Sequence, residues 1–146
     1  MGTIVIGVDG SECSRAALAF AAEEAALRSS VLRVVSAWEV PPAVYAGGLA
    51  PVLDQGTLDG LRENAQSVVD EAVAEAVRLQ PSVHCEGATL EGQAAEVLLR
   101  EAEGATLIVV GNRGRGGFAS LMLGSVSQQI VHHAPCPVLI IRAAER

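Results

Sequence analysis

The chain has 146 residues, half of them apolar and 18% charged, with a formal net charge of −7; that length suits one domain with a single conventional core. All ten basic residues are arginine, and the absence of lysine excludes chemistry that needs a side-chain amine: a P-loop lysine, a pyridoxal Schiff base, or the lysine of a phosphoacceptor receiver domain. The acidity opposes generic binding to nucleic acid, and four aromatics (Phe20, Trp38, Tyr45, Phe118) are too few for a base-stacking platform.

Taken in chain order, short β-branched runs alternate with longer helical patterns. Thr3–Asp9 predicts a first strand, and Ser11 or Ser14 caps an alanine-rich helix ending near Ser30. Val31–Trp38 predicts a second strand. Glu39–Gly56, with three prolines and three glycines, predicts a long loop. Leu58, Leu61, Ala65, Val68, Ala72, Ala76 and Leu79 step by three and four, which predicts a helix with one buried stripe. A weaker third strand is expected over Val83–Thr89, then a helix over Glu91–Glu103 with Ala95, Leu98, Leu99 and Ala102 inward. Ala105–Gly111 is nearly all apolar, as suits a strand buried on both faces. After a glycine-rich loop, Ser125 to His133 predicts a last helix and Cys136–Arg142 a fifth strand. This alternation implies an α/β domain over residues 1–146, with a largely parallel sheet and helices on both faces. Ligands of such sheets lie at the carboxyl ends of the strands, here near Asp9, Ala37 and Gly111.

No apolar run approaches the ~18 residues of a membrane span. The N-terminus enters its first strand without a basic leader or cleavage signature, so a cytoplasmic protein is expected. Cys13, Cys85 and Cys136 are odd in number and lack CxxC spacing, which reads most simply as free thiols in a reducing cytosol.

Charge is unevenly placed. Residues 1–103 carry sixteen acids and six arginines; residues 104–146 carry one acid, Glu145, and four arginines. No carboxylate occurs from Gly104 to Ala144, which suits an anion site better than a metal site. Within that tract, Gly111 and Gly114 let the backbone turn and approach a ligand closely. Gly124-Ser125 opens a helix whose N–H groups and dipole favour an anion. Ser125 and Ser127 can add hydroxyl donors, while Arg113 and Arg115 supply positive charge.

The spacing Gly111-x2-Gly114-x9-Gly124-Ser125 resembles the ATP-binding motif of the universal stress protein family. The GVDGS start (Gly7–Ser11) and the APCPVLII end are similar to that family too, so the resemblance covers the whole chain. It implies a Rossmann-like three-layer sandwich: a five-stranded parallel sheet in order 3-2-1-4-5 with four helices. It also implies ATP across the carboxyl ends of strands one and four. Carried over by position, Gly7, Val8 and Asp9 match the first-strand end, with the acid beside the nucleoside. Ala37 matches a backbone contact to adenine, and Val110 and Gly111 match the strand end beneath base and ribose. Gly114, Gly124, Ser125, Val126 and Ser127 match the groups that hold ribose and phosphates. Arg113 and Arg115 occupy variable positions of the motif; their phosphate role is inferred from charge. The resemblance further implies a homodimer through the last strand, Val138–Arg142, and an apolar run on a sheet edge independently needs covering.

A nucleotide-dependent regulatory protein of stress physiology is therefore expected, without a catalytic residue and with at most slow ATP hydrolysis; Mg2+ or Mn2+ is the cation that would accompany the phosphates. A weak ATPase or phosphate-donor enzyme, and a cyclic AMP sensor using the same cleft, stand as alternatives. A dinucleotide oxidoreductase is disfavoured because no GxGxxG follows the first strand. His132, His133 and Cys136 suggest a metal cluster on paper, but adjacent helical residues point about 100° apart. No GxSxG elbow follows a strand, which disfavours a hydrolase. Trp38 and Tyr45 line the pocket mouth or pack in core or lid.

Overall fold

The computed structural model describes residues 1–40, 54–112 and 123–143. In chain order the elements are β1 (Thr3–Gly7), α1 (Glu12–Leu27), β2 (Val31–Trp38), α2 (Gln55–Leu79), β3 (His84–Glu91), α3 (Ala94–Glu101), β4 (Leu107–Gly111), α4 (Ser125–His133) and β5 (Val138–Ile141). The strands form one sheet in order β3-β2-β1-β4-β5, with every pairing parallel. The expected α/β architecture, sheet order and four helices are all present.

Alternation along each strand builds two core layers. Ile4, Ile6, Leu32, Val34 and Val109 pack with α1 and α2, while Val5, Val35, Ile108 and Val110 pack with residues of α3 and α4. Ile4, Val5 and Ile6 in β1 are fully buried, as a central strand covered on both faces requires. Side-chain caps start the first three helices. The Ser11 hydroxyl accepts from Ser14 N–H at 3.2 Å, the Asp54 carboxylate from Thr57 N–H at 2.8 Å, and the Gln93 amide oxygen from Glu96 N–H at 3.1 Å. Among the described residues no helix is long and apolar enough to cross a membrane.

Several boundaries differ from the expected ones, each for a local reason. The first strand ends at Gly7 rather than Asp9, because the Asp9 carboxylate takes the Ser11 N–H at 2.8 Å and Gly10 turns with φ +81°. The last strand is shorter than Cys136–Arg142: Pro137 has no N–H to give the ladder, and only its carbonyl contributes, accepting from Ile108 at 3.0 Å. β3 runs on to Glu91, pairing along the whole of β2, so α3 starts later than expected, at Ala94. On α2 the buried residues are Ala65, Val69, Ala72 and Ala76, whereas Leu79 is exposed. Val69 gains its place from Gly87 of β3; a Cβ there would stand 2.6 Å from a Val69 methyl.

Candidate functional site

The sheet opens where β1 and β4 end. Their pairing stops at Ile6–Val109, while β1 continues alongside β2 to Gly7–Val35 and β4 alongside β5 to Gly111–Ile141. Chain connections leave β1 and β4 in opposite directions along the sheet, which makes a crevice at their carboxyl ends. Gly7 and Gly111 line this opening, and both leave little room for a side chain. A Cβ on Gly7 would lie 2.7 Å from a Leu98 methyl, and one on Gly111 would lie 2.8–3.0 Å from Cys13 Cβ, carbonyl carbon and carbonyl oxygen.

Among the described residues, the strand ends supply open backbone as well as space. Val35 accepts from Val8 N–H on the β1 side at 2.9 Å, and Trp38 accepts from Gly92 N–H on the β3 side at 2.8 Å. Backbone groups of alternate residues in a parallel strand face the same neighbour. Ala37, two residues beyond Val35, therefore turns its N–H and C=O to the β1 side, past the last residue β1 pairs there. Its side chain packs against the core layer that contains Val110, which is buried.

Opposite the Asp9 turn stands the junction of β4 with α4. Asn112 accepts from Gly124 N–H at 2.8 Å, so the end of β4 is bonded directly to the residue that opens α4. Gly124 has extended backbone (φ −66°, ψ 165°), and among the described residues no side chain caps the helix. The first turn of α4 holds no acid, so its N–H groups and dipole keep their attraction for an anion. Ser125 is exposed and Val126 half-buried at this turn. Ser127 is buried, and its hydroxyl donates to Gly111 O at 2.6 Å, locking α4 onto the strand that leads to the loop.

Gly7, Val8, Asp9, Ala37, Val110, Gly111, Gly124, Ser125, Val126 and Ser127 thus meet around the carboxyl ends of β1, β2 and β4. Arg113, Gly114 and Arg115 lie outside the described residues, as does Tyr45. Two residues that sequence reasoning passed over occupy the junction. Cys13 Sγ–H donates to Asn112 Oδ1 at 3.2 Å in a buried contact, and only a hydrogen-bonding pair 99 positions apart could have announced it. A cavity of about 260 Å3 also opens on the α1–α2 side of β1, lined by Val8, Ser14, Leu18, Val68 and Ala72 with Arg15, Glu71 and Glu75. It borders the crevice at Val8 and Gly10 but lies on the other side of the Asp9 turn from α4. Burial pushes the Cys136 thiol upward, with a hydrogen bond to the Ile108 backbone opposing it. Among the described residues no group of three His, Cys, Asp or Glu side chains is placed to hold a metal.

The sequence profile described as the universal stress protein family matches residues 1–142. A Thermus aquaticus protein, "Universal stress protein in QAH/OAS sulfhydrylase 3'region", is 40% identical over 142 residues, which is 96% of this chain and 98% of that protein. The universal stress protein of Archaeoglobus fulgidus, solved in complex with dAMP, is 25% identical with a TM-score of 0.70, covering 97% of this chain and 98% of its own. A universal stress protein solved in complex with cAMP is 26% identical with a TM-score of 0.71, covering 98% of both chains. Several mycobacterial relatives are longer, and the chain spans only 44–47% of their length. With its sheet order, a family match over residues 1–142 and a 40% identical relative covered almost throughout, the chain belongs to the universal stress protein family.

Proposed function

We propose that the chain binds ATP in the crevice between β1 and β4 and works as a nucleotide-dependent regulator in stress physiology, in the cytoplasm. The observation that carries this reading is the N-terminus of α4, acid-free in its first turn, without a side-chain cap among the described residues, and bonded through Gly124 to Asn112 at the end of β4. Adenine would take the free backbone edge of Ala37, with Val110 and Gly111 beneath base and ribose. The phosphates would take the first turn of α4, the Ser125 hydroxyl, Gly114 and the guanidinium groups of Arg113 and Arg115. Ser127 contributes its N–H, its hydroxyl hydrogen being committed to Gly111. The complexes of relatives with dAMP and cAMP support an adenine nucleotide as the ligand class.

The donor set favours holding the nucleotide over breaking it. Phosphoryl transfer needs a positioned base and normally a metal at the γ-phosphate. The tract from Gly104 to Ala144 offers no carboxylate, so Mg2+ or Mn2+ would arrive held by phosphate oxygens and water rather than by protein acids. Hydrolysis is accordingly at most slow. Cyclic AMP in the same crevice is the second reading, favoured by the relative solved with it. A homodimer through β5 fits the sheet edges: β3 at one edge exposes His84, Glu86 and Glu91, whereas β5 at the other is apolar from Val138 to Ile141.

Thermal unfolding with ATP tests the reading. Ligand at about one hundred times Kd stabilises by about 2.7 kcal/mol, a rise in Tm of about 5–11 °C for a chain of this size. Gly124→Ala, whose backbone angles alanine accepts, and Asp9→Glu should remove most of the rise. Equal shifts in wild type and both variants would overturn the site.

A further inference from the structure

Asn112 is 8% exposed and joins four elements. It directly follows β4; its N–H donates to Ile141 O of β5 at 2.8 Å, and its carbonyl accepts from Gly124 N–H at the start of α4 at 2.8 Å. Its side-chain oxygen accepts from the Cys13 thiol in the first turn of α1 at 3.2 Å. Two residues before Cys13, the Ser11 N–H is held by the Asp9 carboxylate. The thiol–amide contact therefore ties the Asp9 side of the crevice to the α4 side. Gly111 packs on Cys13 alongside it, and β1 and β4 pair as far as Ile6–Val109; the thiol–amide contact adds one directional bond beyond the end of that ladder.

On the reading that the crevice holds ATP, we propose that Asn112 is a positioning residue: through Cys13 and Gly124 it fixes the separation of the two rims and thereby sets ATP affinity. A nucleotide spanning both rims binds a spacing already made. Without the contact the ligand must order the rims itself, and that ordering is subtracted from its affinity. The bond is buried, where a weak donor such as a thiol acts in a lower dielectric than water. This role differs from that of the glycines and Ser125, because neither Asn112 nor Cys13 need touch the nucleotide.

Isothermal titration of ATP into wild type, Asn112→Ala, Cys13→Ala, the double variant and Cys13→Ser tests the proposal, with Tm recorded for each ligand-free chain. Cys13→Ala keeps the Cβ on which Gly111 packs but deletes the buried sulfur together with its bond, so the serine variant, which keeps a donor, separates the two effects. Each single alanine variant should weaken ATP about three- to tenfold, the range of one net hydrogen bond. The double variant should be no weaker than the worse single. Cys13→Ser, which restores a donor, should bind within about twofold of wild type. A merely structural role would lower Tm and leave Kd unchanged; that result overturns the proposal, as do additive losses or a serine variant as weak as alanine. Should Asn112→Ala fail to fold, the two Cys13 variants decide the matter by themselves. A wild-type chain that binds no ATP removes the nucleotide reading and this inference with it, whereas wild-type binding with unaltered Cys13 variants removes the inference alone.

Discussion

Gly111→Ala is the sharpest perturbation of the crevice. The new Cβ would meet Cys13 Cβ at 2.8 Å, its carbonyl carbon at 2.9 Å and its carbonyl oxygen at 3.0 Å. Two of those three atoms are backbone of the first turn of α1, which Ser11 caps, so no side-chain rotation relieves the clash. The end of β4 must instead move away from α1, straining its register with Ile141 and the Ser127–Gly111 bond. Overpacking of this kind costs about 1–3 kcal/mol, which lowers Tm by about 2–12 °C. Urea unfolding should show a lower midpoint at unchanged m-value. Gly7→Ala is the internal comparison, because the three atoms nearest its Cβ all belong to the Leu98 side chain, at 2.7–3.4 Å, and a side chain can shift where backbone cannot. A Gly111→Ala chain within about 0.5 kcal/mol of wild type, or one hurt less than Gly7→Ala, would refute the close-approach reasoning.

Other sites should respond in opposite directions. Gly60 lies on the exposed face of α2 with no described atom within 4 Å of an added Cβ, so Gly60→Ala should stabilise by about 0.5–1 kcal/mol in the same urea assay; a loss would contradict this placement. Asp54 holds Thr57 N–H and hydroxyl at 2.8 Å each, and these two bonds, the backbone one first, keep its carboxyl below the usual aspartate range. A lowered folded pKa means the cap's contribution is complete above the unfolded pKa and lost as pH falls through the folded one. Asp54→Asn caps without titrating. The Tm difference between the two proteins should therefore change across the acid range, and a pH-independent difference would contradict the assignment.

What was legible in the sequence follows from where the determining forces lie. Val31–Trp38 and Ser125–His133 end where they were expected to, because a β-branched run and a Gly-Ser helix opening are local signals. Gly111 and Gly124-Ser125 announced where β4 ends and α4 begins. Long-range fit was illegible. Val69, rather than the expected Val68, enters the core beside Ala65, Ala72 and Ala76; both valines fit a helical stripe, and it is Gly87 of β3 that makes room for Val69. Ser127 looked like a hydroxyl for phosphate, yet its place one turn into α4 returns it to Gly111. Asn112 stood unread between Gly111 and Gly114 because its partner, Cys13, is on the first helix.

Nucleotide choice is the most direct measure of the whole account. The purified chain, incubated with equimolar ATP, cyclic AMP, NAD and GTP, should emerge in a native mass spectrum carrying one ATP per protomer, and Gly124→Ala should carry none. A spectrum dominated by NAD or GTP, or an unladen chain beside a folded control, would contradict it.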